Sequence, residues 1–81
     1  MRLPRNVSGE RLVRLLRRYG YEVTRQEGSH IRLTSDVPGG DPHVTVPNHR
    51  SIKIGVLGDI VTAVAAHLDR DRDEFSEELF S

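Results

Sequence analysis

Between Ser8 and Gly20 the apolar residues Leu12, Leu15, Leu16 and Tyr19 recur at helical spacing, with Val13 beside them. Arg11, Arg14, Arg17 and Arg18 fall mostly off that stripe, so the pattern predicts an amphipathic helix over residues 9–19. Ser8 offers an N-cap oxygen, and Glu10 puts a carboxylate in the first turn, where the helix dipole favours it. Gly20 follows the last periodic residue, where a helix end commonly needs left-handed backbone. The period then changes from 3.6 to 2. Tyr21 and Val23 alternate with Glu22 and Thr24, and Gln26-Glu27-Gly28-Ser29 reads as a turn. Ile31 and Leu33 then alternate with His30, Arg32 and Thr34. A turn-rich stretch from Asp36 to Pro42 leads to a third alternating run, His43-Val44-Thr45-Val46. Three short strands with tight connections predict an antiparallel meander. Its apolar face is expected to carry Tyr21, Val23, Ile31, Leu33, Val44 and Val46. Its polar face is expected to carry Thr24, Gln26, His30, Arg32, Thr34, His43 and Thr45, and to stand in water.

Residues 47–54 read as a loop. Val56, Leu57, Ile60, Val61, Val64, Ala65 and Leu68 then predict a second helix over residues 55–68 with a broad apolar stripe. In the acidic ending, Phe75, Leu79 and Phe80 are spaced for a short third helix, which so few apolar residues would dock only weakly. The expected architecture is α+β, a two-layer α-β-β-β-α sandwich with a short C-terminal helix.

Length and composition narrow the functional classes. A chain of 81 residues, 36% hydrophobic, buries about 60% of its unfolded surface and has a net stability of roughly 4–12 kcal/mol. We read it as a single domain over 1–81, with 1–7 an extended lead-in and 69–81 an acidic segment. A large cofactor cavity does not fit this size, and the absence of cysteine excludes disulfides and thiolate metal sites. The longest apolar run, Ala63 to Ala66, is too short to span a bilayer, and no apolar leader core follows the first arginines, so a cytoplasmic protein is expected. The formal net charge of zero hides an asymmetry. Residues 1–40 carry eight Arg against four acids, while residues 41–81 carry four basic residues against eight acids. Six of those eight acids lie in the last 13 residues. The zero is a basic body cancelled by an acidic tail.

Four histidines are the main candidates for chemistry. None pairs with another at a ligand spacing such as i, i+4 on a helix, so no metal site is expected. No phosphate-binding glycine loop, nucleophile elbow or dinucleotide fingerprint is present. His30 opens the central strand after Gly28-Ser29, with Arg32 on the same face. Imidazole moves protons near neutral pH, guanidinium holds phosphate bidentately, and turn amides donate to phosphate oxygens. Cleaving an RNA phosphodiester needs that set: a base for the 2′-hydroxyl, an acid for the leaving 5′-oxygen, and donors for the developing charge. From spacing alone, a polar residue on a wet sheet face is the better description of His30. His49, Arg50 and Lys53 precede a helix N-terminus, which suits either an anion seat or a solvated loop. The arginines of the first helix suit either a nucleic-acid contact or an ordinary solvated surface. His43 at a strand start and His67 in a last helical turn, near the C-terminal dipole, have structural explanations.

The string from Leu3 to Leu33 carries a Ser8-Gly9 helix start, the Tyr19-Gly20-Tyr21 junction and Arg25-Gln26-Glu27-Gly28-Ser29-His30. Downstream come Val46-Pro47-Asn48-His49, Lys53 with Gly55, and a terminal Asp73-Glu74-Phe75. Together these features resemble the HicA toxin family of mRNA interferases over nearly the whole chain. The resemblance implies a double-stranded-RNA-binding-domain-like fold and a toxin of a type II toxin–antitoxin system. It also implies metal-independent, cofactor-free cleavage of mRNA with His30 as the catalytic histidine, no DNA partner for the toxin alone, and silencing by a HicB-type antitoxin. The chain departs from the family where its second helix opens Gly55-Val56-Leu57-Gly58, lacking the hydroxyl and cation common there. Gly28, Ser29, Arg25, Arg32, His49 and Lys53 are the candidate RNA-binding residues on the physical grounds above. The alternative is a non-catalytic RNA-binding or protein-interaction module of the same fold.

Overall fold

The computed structural model describes residues 1–81. Its elements are α1 (Gly9–Arg17), β1 (Tyr21–Glu27), β2 (His30–Ser35), β3 (His43–Pro47), α2 (Ile54–His67) and α3 (Arg72–Leu79). The α-β-β-β-α order and the short C-terminal helix expected from the sequence are present. Ser8 caps α1, its hydroxyl accepting from the Arg11 N–H at 3.0 Å. The helix ends at Arg17 rather than at 19, because Arg18, Tyr19 and Gly20 close it with a turn that reaches the left-handed region at Gly20 (φ +89°). A side chain at Gly20 would also overlap the Asp36 carboxylate, whose backbone N–H donates to the Gly20 carbonyl at 3.0 Å.

The strands form one antiparallel sheet in the order β1-β2-β3. Tyr21, Ile31, Leu33, Val44 and Val46 face the helices and are buried with Leu12, Val13 and Leu16 of α1 and Leu57, Ile60, Val61, Val64 and Ala65 of α2. Val23 keeps its expected place on the inner side, opposite Leu33, but is 37% exposed because it lies on the edge strand β1. One face assignment is corrected. Gln26 pairs with Ile31 on the inner side instead of joining the polar face, because the register shifts between Val23 and Arg25. Thr24 is the extra residue of a β-bulge there, and a bulge reverses the facing of every later position on its strand.

Residues 1–7 form no helix or strand, but Val7 is fully buried in the core and its carbonyl accepts from the Ile52 N–H at 2.8 Å. Gly9 is where α1 meets the loop after β3. Its N–H donates to the His49 carbonyl at 2.9 Å, and a Cβ there would collide with the Pro47 carbonyl. The expected weak docking of the third helix is overturned. Phe75 and Leu79 are buried at 0% and 1% exposure, and Phe75 packs edge-on against Tyr19 with ring centroids 4.9 Å apart. Asp71 caps α3 by accepting from the Glu74 N–H, while the Met1 amino group lies 3.4 Å from Asp73. The helix therefore joins the helical layer and leaves the outer sheet face open. No helix is long and apolar enough to cross a membrane.

Candidate active site on the outer sheet face

A two-residue turn at Gly28-Ser29 joins β1 to β2. Gly28 has φ +56° and Ser29 does not have positive φ, the signs of a type II′ hairpin that tolerates glycine first. So short a turn makes Glu27 and His30 direct cross-strand partners. One step inward Arg25 lies opposite Arg32, and Arg32 lies opposite Thr45 on β3. The bulge at Thr24 turns Arg25 and Glu27 outward; an unbroken alternation from Val23 would have sent both to the helix side. The resulting concavity, about 210 Å³, is lined by Arg25, Glu27, His30, Arg32 and Thr45, with no apolar residue.

Its charges are not equivalent. Arg25 is ion-paired with Glu27, and both side chains are about two-thirds exposed. Arg32 takes part in no ion pair and is the cation free to meet an anion. Farther along the same face, the Thr24 and Thr34 hydroxyls are 2.8 Å apart, and Thr34 is 3.0 Å from His43 Nδ1. Four residue steps lead from His30 to Thr34, about 13 Å at the rise of a strand, and His43 lies opposite Thr34, well away from His30.

The other expected site residues divide. Gly28 and Ser29 form the hairpin tip beside His30, and the Ser29 carbonyl accepts from the Asn48 N–H at 2.6 Å. That bond and the one from Gly9 to His49 pin the loop after β3 between the hairpin tip and the start of α1. His49 is therefore next in the chain to a residue bonded to the tip, with its side chain exposed. Lys53 is not gathered with His30; it borders a separate concavity with Arg5, Asn6, Ser51, Ile52 and Ile54. It also serves as the N-cap position of α2 without a side-chain capping bond. The α1 arginines are largely engaged. Arg14 is 3.3 Å from Glu10, Arg17 is 4.0 Å from Glu22, and Arg11 lies over the Phe80 ring at 5.8 Å. His67 makes no bond to the last carbonyls of α2; both its ring nitrogens are buried without a hydrogen-bond partner.

Glu27 and Thr45 were not singled out in the sequence. The signal for Glu27 was there: once Gly28-Ser29 is a two-residue turn, positions 27 and 30 must pair. No group of three or more histidine and carboxylate side chains converges as a metal ion would need.

The family model of the HicA toxin of bacterial toxin–antitoxin systems matches residues 9–66, from the first residue of α1 to the last turn of α2. The chain belongs to the HicA toxin family. No curated protein and no solved structure matches it. As a HicA toxin it is the toxin component of a toxin–antitoxin system. The outer sheet face, with the Glu27–His30 pair and the arginines beside it, lies wholly within the matched region, and α3 lies outside it.

Proposed function

We propose that this HicA toxin is an endoribonuclease that cuts mRNA with His30 as its acid–base group and is silenced by a HicB-type antitoxin. The observation that carries the reading is the exposed imidazole of His30 in an all-polar concavity with Arg25, Arg32, Glu27 and Thr45. Arg32, unpaired, binds the scissile phosphate, and Arg25 holds Glu27 opposite the imidazole. The amides at Gly28 and Ser29 face the same phosphate, and His49 and Lys53 contact the RNA on either side of it.

In the reaction, a base removes the proton of the 2′-hydroxyl and the oxygen attacks phosphorus. The bond to the 5′-oxygen breaks as an acid protonates it, leaving a 2′,3′-cyclic phosphate and a free 5′-hydroxyl. The Glu27 carboxylate and the His30 imidazole are the two proton-exchanging groups of the hairpin, and Arg32 balances charge as it builds on the phosphoryl oxygens.

Incubating RNA with the wild-type chain and with His30→Ala tests this. Cleavage should fall by about 10²–10⁴-fold in the variant, with the fold and antitoxin binding retained. The wild-type products should end in a cyclic phosphate. A variant that cuts as fast as the parent removes His30 from the mechanism. RNA that is retained by the wild type but never cut identifies a binding module instead.

A further inference from the structure

At the opposite end of the sheet from His30, a second concavity of about 310 Å³ opens where β3 meets α2. It is lined by Gly40, Asp41, His43, Ala63, Ala66 and His67. His43 is shared between this cleft and the outer sheet face, so the two are continuous. Its backbone and its ring are each held by one hydrogen bond. Asp41 Oδ1 accepts from the His43 backbone N–H at 3.0 Å, and Thr34 holds Nδ1 at 3.0 Å, leaving Nε2 without a protein partner. Across the cleft, both ring nitrogens of His67 are buried and unbonded. Buried imidazole nitrogens ordinarily find hydrogen-bond partners, and these two have none. The ring is also wedged against Tyr21, with centroids 6.1 Å apart at 64°. Ala63 and Ala66 contribute only methyl groups, and Gly40 has no side chain to fill the space.

We infer that this cleft is a second nucleotide subsite, which takes an unstacked base of the same RNA whose phosphate lies at His30. The chemistry matches a nucleobase. Imidazole rings stack on base faces, the alanine methyls make an apolar wall, and the unpartnered Nε2 of the exposed His43 can meet a base edge. The distance also fits one strand of RNA. About 13 Å separates the His30 and His43 positions along the sheet, the length of about four stacked nucleotides or fewer extended ones. This subsite rests on the reading of the sheet face as an RNA-cleaving surface, and the measurement below separates the two.

The probe is an oligoribonucleotide methylated at every 2′-oxygen, which cannot be cleaved, long enough to run from His30 to the cleft. Its binding is followed by fluorescence anisotropy and by imidazole NMR of the wild-type chain, His43→Ala and Ala63→Gln. Ala63 is exposed on α2, so its variant narrows the cleft without disturbing the core. Each variant should bind about five- to 150-fold more weakly, the loss of one base stacked on a ring. The His43 and His67 resonances should shift on binding to the wild type. A dinucleotide that reaches only His30 should be cleaved equally by wild type and Ala63→Gln. Binding of the long probe with unmoved His43 and His67 resonances and unchanged affinity in Ala63→Gln overturns the subsite. So does the absence of any binding. If the probe binds as expected but unmodified RNA is never cut, the subsite stands and the cleavage reading falls.

Discussion

Replacing Phe75 by alanine tests whether the acidic C-terminal helix is part of the folded core. The ring is fully buried, meets Tyr19 edge-on at 4.9 Å and lies beneath the Arg70 guanidinium at 5.5 Å. Truncating a buried Phe to Ala typically costs about 3–5 kcal/mol, through lost transfer energy and the cavity left behind. The edge-to-face pair adds about 0.5–1.5 kcal/mol beyond burial, which points to the upper part of that range. Against a total of roughly 4–12 kcal/mol for a chain of this length, the change consumes a large share of the stability. Urea unfolding followed by far-ultraviolet circular dichroism should show a much lower midpoint, and Tm should fall by about 12–40 °C. Phe75→Leu, which keeps most of the volume, should lose well under half as much. A Phe75→Ala loss below about 1 kcal/mol, the size of a surface substitution, would refute the argument and return α3 to a loosely held appendage.

Glu27→Gln keeps the size of the side chain and removes its charge. Cleavage should fall by about 10²–10⁴-fold with RNA affinity little changed, and a loss of only a few-fold would confine Glu27 to steadying Arg25. Acid should loosen the C-terminal helix. Hydrogen bonding by Arg72, helped by the Met1 amino group, holds the Asp73 carboxyl below its ordinary value, and hydrogen bonding by Arg70 does the same for Glu78. Carboxylates lowered in the folded state favour folding above their unfolded values and lose that contribution as pH falls through the folded ones. The midpoint of urea unfolding should therefore drop on acidification through the carboxylate range, and drop less steeply in Glu78→Gln; parallel pH profiles would refute the assignment.

The periodicities were enough to place α1, α2, the three strands and the helix-facing residues Tyr21, Ile31, Leu33, Val44 and Val46. They failed where alternation carries no information. From Thr24 to Glu27 every residue is polar, so nothing in the pattern distinguishes a regular strand from a bulged one. The bulge nevertheless decides that Arg25 and Glu27, not Gln26, stand beside His30. The seating of α3 was illegible for a different reason. Phe75 and Leu79 are too few to show a strong stripe, and the surface that buries them is made by Tyr19 and by α2, elements distant in sequence. Val7 was hidden in the same way: it lies in a lead-in without periodicity, and its side chain packs into the core against elements distant in sequence. His30 and Arg32 were visible because strand alternation alone puts positions 30 and 32 on one face.

The cancelled net charge takes on a different meaning once the tail is located. Residues 1–68 carry ten basic and six acidic side chains, and the last 13 residues carry two and six. Several of those terminal acids have local work: Asp71 caps α3, Asp73 meets Met1 and Arg72, and Glu78 meets Arg70. They sit in the helical layer, and the molecule measures 18 Å across its thinnest dimension. At physiological ionic strength the screening length between exposed charges is about 8 Å, so the tail contributes little to the field over the outer sheet face. A phosphate arriving there meets two guanidinium groups and one carboxylate in the His30 concavity, a net charge of +1 from Arg25, Arg32 and Glu27. Zero net charge thus describes the whole chain but not the His30 concavity at which RNA would be met, which is locally cationic because the fold keeps the terminal acids on the other layer.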